Sequence, residues 1–91
     1  GQGETIEFIA QEGSKIVGRR LKDLNLPKGI IIAAILHGEE IIIPRGDSII
    51  EAGSRVVAFC LQSEVVALEN FFEKAKGGLI NGLWGGYKIT R

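Results

Sequence analysis

Hydrophobic residues come in short blocks along this chain, and the spacing within each block predicts its conformation. In Glu4–Ala10 (ETIEFIA), Thr5, Ile6, Phe8 and Ile9 surround a single Glu7, a β-branched and aromatic run that predicts a strand. Gln11-Glu12-Gly13 reads as a turn, and Ser14 as a helix N-cap whose hydroxyl accepts from an otherwise unpaired amide. Val17, Leu21 and Leu24 at i, i+4, i+7 then predict a short helix, weakened by Gly18 and stopped by Pro27. Ile30 to Leu36 is apolar at every position, which predicts a strand covered on both faces. His37-Gly38-Glu39 reverses the chain, Glu40 to Ile43 returns as the second arm of a hairpin, and Pro44 ends it. After a turn region that ends at Ala52-Gly53, Arg55–Leu61 (RVVAFCL) is the fourth strand. Gln62-Ser63-Glu64 caps a closing helix through Lys76, with Val65, Leu68, Phe72 and Ala75 on one stripe and Phe71 beside it.

The order β-α-β-β-β-α predicts an α+β fold, a small four-stranded mixed or antiparallel sheet with two helices. The helices cover about one face of such a sheet, whereas the isoleucine strand calls for cover on both. The expected second cover is another copy of the chain or the rest of a parent protein, with Ile30, Ile31 and Ile32 as the homodimer interface. Residues 1–76 form the expected domain. Residues 77–91 differ in composition, with five glycines in fifteen residues, and read as a glycine-rich C-terminal tail. In that tail Asn81-Gly82 is a turn signal, and Trp84 could dock on this domain or on a partner.

Composition narrows the function. Ninety-one residues suffice for one small domain, and a hydrophobic content of 45% predicts that it folds. Eleven basic residues balance eleven acidic ones, which argues against a nucleic-acid binder. No apolar run approaches the ~18 residues that cross a bilayer, so direct membrane insertion is not expected. The chain lacks methionine and opens Gly1-Gln2-Gly3, the expected mark of a piece cut from a longer protein. A lone Cys60 allows no internal disulfide, and with a single His37 no zinc site is expected. No acid, base and nucleophile converge in the pattern, so an enzyme is not expected. Arg45-Gly46-Asp47 matches a cell-adhesion tripeptide, but nothing marks the chain as secreted. Gly46 permits a bend there and Asp47 can close it on backbone amides.

The stretch VGRRLKDLNLPKGIIIAAILHGEEIIIPRGDSIIEAGSRVVAFC closely resembles the TrkA C-terminal (RCK C-terminal) domain of potassium-transport regulators. The likeness covers residues 4 to 75 and rests on several short motifs in order. It implies a cytoplasmic regulatory domain that dimerises and senses a small ligand, a nucleotide among the candidates, without a cofactor of its own. It also implies a parent with an N-terminal nucleotide-binding domain and a membrane transporter subunit as partner. Members that bind cyclic di-AMP carry an Asp-hydrophobic-Arg run and an asparagine in the next strand; here Asn25-Leu26-Pro27 and Ile31 stand at those places.

Two functional readings follow. One is a ligand-sensing and dimerisation domain, peripheral to the membrane through its transporter partner, with His37, Arg45 and Asp47 as ligand contacts at one end of the hairpin. The other is a purely structural assembly domain that takes no small ligand.

Overall fold

A computed structural model describes residues 3–72 and the backbone of residues 88–90. The elements are β1 (Gly3–Ile9), β2 (Ile30–His37), β3 (Glu40–Ile42), β4 (Arg55–Leu61), α1 (Val65–Phe72) and β5 (Lys88–Thr90), with single 3-10 turns at Leu21–Asp23 and Gln62–Glu64. All strands pair antiparallel in the order β3-β2-β4-β1-β5. The four expected strands are therefore present, and Lys88–Thr90 adds a fifth beside Thr5–Glu7 of β1. The closing helix is described as far as Phe72; Ala75, Lys76, Asn81-Gly82 and Trp84 lie outside the described residues.

β2 and β3 are joined by the two-residue loop Gly38-Glu39, where Gly38 takes φ +64, the left-handed region that a tight hairpin turn needs. A bulge between Ile32 and Ala34 shifts the register of β2 against β4. On the core side, Ile30 and Ile35 of β2, Val56, Ala58 and Cys60 of β4, and Ile6 and Phe8 of β1 pack with Leu68 and Phe72 of α1. The Phe8 and Phe72 rings stack with centroids 4.0 Å apart.

The expected first helix is absent, and the structure corrects that reading. Gly18 takes φ +87, which no continuous right-handed helix contains. The amides of Gly18, Leu21 and Lys22 donate to the carbonyls of Ile50, Ser48 and Gly46 rather than to their own preceding turn. Segment 14–24 is instead laced to segment 46–50, and Ile16, Leu24 and Ile50 are pressed into the core. Of the spaced residues Leu24 alone is buried; Val17 and Leu21 are partly buried, and Ile16, off that spacing, is the fully buried one.

β2 is covered on one face within the chain. Ile30 is 6% and Ile35 1% exposed, whereas Ile31 is 61% exposed on the opposite face. Strand register places Ile31 opposite Phe59, Ala34 opposite Val57, and Leu36 opposite both Arg55 and Ile41. This second face of the sheet is apolar along β2, β3 and most of β4.

Candidate functional site

The Arg-Gly-Asp sequence forms a compact turn tied to the segment before β2. The Arg45 amide donates to Ser48 Oγ at 2.9 Å, and the Ser48 amide donates to the Arg45 carbonyl at 2.9 Å. The Asp47 carboxylate lies 3.0 Å from Lys22 Nζ and 3.8 Å from an Arg20 nitrogen, and Arg20 also binds Asp23 at 2.9 Å. Asp47 is therefore engaged in holding two segments together. The Arg45 guanidinium is exposed and has no ion pair among the described residues. An exposed, unpaired guanidinium is suited to meet an anion from solution.

His37 belongs to a different cluster. Its Nδ1 is 2.9 Å from Ser54 Oγ, and its Nε2 is 3.4 Å from Glu51 Oε1. Neutral imidazole protonated on Nε2 satisfies both: Ser54 donates to Nδ1, and Nε2–H donates to Glu51. The set has the composition of a hydrolytic triad, but Ser54 is 1% exposed and no substrate reaches its hydroxyl. These contacts fasten the hairpin end of β2 to the turn that leads into β4. The three sequence-selected residues thus fall in two groups, with Arg45 and Asp47 in one turn and His37 engaged elsewhere.

A groove of about 440 Å³ lies at the far end of β2 from His37, lined by Gly3, Glu4, Thr5, Lys28, Gly29, Ile31, Phe59, Cys60 and Leu61. Its apolar walls are Ile31, Phe59 and Leu61, which are 61%, 52% and 47% exposed. Lys28 supplies a cation to its lining. The backbone at Gly29 is drawn close to the turn after β4: a Cβ there would lie 2.9 Å from both Leu61 Cδ1 and Glu64 Cγ. The Cys60 thiol turns into the core, where burial, with help from the charges of Glu64 and Glu4, pushes its pKa up from the ordinary 9.0. No cluster of three or more metal-ligating side chains occurs among the described residues.

The groove was not selected from the sequence, although a signal was present. RVVAFCL is apolar at alternate positions on both faces, so Phe59 and Leu61 had to emerge opposite Val56, Ala58 and Cys60. Lys28 carried no comparable signal, because its nearness to β1 and β4 comes from the way the chain enters β2.

The TrkA-C domain family model matches residues 5–73. Similar curated proteins include Trk system potassium uptake protein TrkA homolog 2 of Methanosarcina mazei, 43% identical over 72 residues, which are 79% of this chain and 16% of that protein. Trk system potassium uptake protein TrkA of Azorhizobium caulinodans is 40% identical over the same shares of the two chains. The chain thus spans about a sixth of the length of these relatives. Among solved structures, the RCK_C domain dimer of S. agalactiae BusR in complex with c-di-AMP superposes with a TM-score of 0.63 at 30% identity, covering 79% of this chain and 93% of that one. An RCK domain solved with cda gives a TM-score of 0.57 at 26% identity, covering 77% and 99%.

Proposed function

Because the chain belongs to the TrkA-C domain family, we propose that it is the ligand-sensing, dimerising regulatory domain of a potassium uptake protein. It works in the cytoplasm, in a parent that also carries an N-terminal nucleotide-binding domain and engages a membrane transporter subunit. The TrkA relatives, far longer than this chain, support such a parent. No described helix is long and apolar enough to cross a membrane, in keeping with attachment through a partner. The family match ends at residue 73, which supports residues 1–76 as the domain and 77–91 as an appended segment.

The observation that carries the ligand-sensing reading is the groove of about 440 Å³, with its apolar walls and Lys28 in its lining. Such a site suits a planar, anionic small molecule, and a relative of the same fold is solved with c-di-AMP. Arg45 is offered as an additional contact, since its guanidinium is exposed and unpaired among the described residues. His37 and Asp47 would have to exchange internal partners for the ligand. Binding to one dimer arrangement over another would shift the population of the two, which is how such a domain would regulate transport.

The test is thermal unfolding of the chain with c-di-AMP, ATP, NAD and potassium chloride, one at a time. A compound that binds only the folded state at 100 times its Kd adds about 2.7 kcal/mol and raises Tm by several degrees. Arg45→Ala should then weaken binding by about 1.5–3 kcal/mol if the guanidinium makes a charge-assisted bond. No shift with any compound supports the second reading, an assembly domain without a small ligand. The uncovered apolar sheet face is the observation that favours that alternative.

A further inference from the structure

We infer that the outer edge of β1 is a docking site for an extended strand, and that residues 88–90 are its built-in and releasable occupant, whether or not the domain takes a small ligand. The Ala10 amide donates to the Ser54 carbonyl at 2.8 Å, on the β4 side of the chain. Amides along an antiparallel strand face its two neighbours alternately, so those of Phe8 and Ile6 also face β4. The amides and carbonyls of Thr5 and Glu7 then face away from β4, and their register partners on that side are Thr90 and Lys88. Both are thereby hydrogen-bonded pairs, with Ile6 and Ile89 between them. Without β5 this seven-residue strand would present a row of unpaired backbone groups. The opposite edge of the sheet has less need of cover, since β3 spans three residues and Pro44 follows it closely.

The residue types at the paired positions complement one another. Register sets Lys88 opposite Glu7, Ile89 opposite Ile6 and Thr90 opposite Thr5. These are an opposite-charge pair, a β-branched pair and a hydroxyl pair, each of a kind that favours strand pairing. Glu7 also lies 3.9 Å from Arg55 of β4, so both strands beside it carry a basic residue near this acid in the register. β5 lies beyond residue 73, where the family match ends, so the occupant is appended to the matched domain. It covers three of the seven residues of β1, and a pairing that short is marginal by itself. Fifteen residues, 73–87, separate it from α1, and such a tether raises its local concentration at the edge to about the millimolar range. The edge therefore opens and recloses, and the partner class it fits is an extended peptide that joins the sheet through its backbone.

The experiment is amide hydrogen exchange, read by NMR, on the whole 91-residue chain and on its Lys88→Pro, Thr90→Pro double variant. Proline has no N–H, so the variant loses a donor from each of the two bonded pairs. In the parent, the Thr5 and Glu7 amides should exchange about tenfold or more slower than in the variant, yet faster than those of Ile6 and Phe8. The Ile6 and Phe8 amides bond to β4 and report an intact sheet in both chains. A peptide of residues 84–91, supplied to the variant at millimolar concentration, should slow Thr5 and Glu7 again. Should the double variant fail to fold, Thr90→Pro alone carries the same comparison. Equal exchange at Thr5 and Glu7 in the two folded chains would overturn the docking of residues 88–90. Parent exchange there as slow as at Ile6 would overturn their release. An opened edge that the peptide leaves unprotected would overturn the site for extended segments.

Discussion

Replacing His37 by alanine isolates one contact whose value follows from the geometry. Ser54 is 1% exposed, and its hydroxyl has the His37 ring nitrogen, 2.9 Å away, as its side-chain partner. Removing the imidazole leaves that hydroxyl buried and unpaired, which costs about 1–3 kcal/mol. The Glu51 contact adds little: the two side chains are 45% and 71% exposed, and pairs that open to solvent contribute about 0–1 kcal/mol. His37→Ala should therefore lower stability by roughly 1–3 kcal/mol, a fall in Tm of about 5–15 °C for a domain of this size. Ser54→Ala should cost less, because the partly exposed imidazole can turn to water. The double variant should cost less than the sum of the two single variants, by about 1 kcal/mol. Urea unfolding followed by circular dichroism measures all three. If His37→Ala stays within about 0.5 kcal/mol of the parent, or the two effects simply add, the contact does not secure the hairpin as argued. His37 would then again be free to serve as a ligand contact.

Other consequences are open to direct measurement. Phe72→Ala removes the ring stacked on Phe8 at 4.0 Å and should cost about 3–5 kcal/mol in the same unfolding assay. Asp47→Asn breaks pairs with Lys22 and Arg20, but Asp47 is 77% exposed; the loss should be under about 1 kcal/mol and should vanish at high salt. Because burial raises the Cys60 pKa above its ordinary 9.0, the unfolded chain loses this proton first as pH rises. The contribution of Cys60 to stability should be constant below pH 9.0 and fall as pH climbs past it; urea midpoints that hold from pH 8 to pH 10.5 would contradict this. Its thiol should also react far more slowly with a disulfide reagent in the folded chain than in urea.

Strands β1 to β4 were legible because their signals are local, whereas β5 pairs with β1 from a segment whose composition read as a tail. Four isoleucines in β2, the glycine in the Gly38-Glu39 loop and Pro44 after β3 each act within a few residues, and the hairpin follows from them. The stripe Leu68 and Phe72 was legible for the same reason, and both residues are buried. Segment 14–24 was misread because Val17, Leu21 and Leu24 satisfy a helical period, while the partners of its amides lie some thirty residues later in segment 46–50. No local rule reports a hydrogen bond across that distance. Of the candidate contacts, the turn made by Arg45, Gly46 and Asp47 could be read from residue type, since Ser48 closes it within three residues. That His37 is held by Ser54 and Glu51 could not.

The amino-acid order by itself determined strands β1 to β4, their hairpin, the family and the excess of apolar surface on β2, because these depend on near-neighbour sterics and on total hydrophobicity; β5, in the segment read as a tail, was not among them. The tertiary structure alone decided which isoleucine faces inward. Alternation sets Ile30 and Ile31 on opposite sides, but only packing against Leu68 and Phe72 says which side is the core. It likewise decided that Lys28 meets Phe59 and Thr5 at one groove and that His37 is spent on Ser54. Those contacts join residues from different strands, and their distances are set by how the sheet is assembled rather than by any single segment.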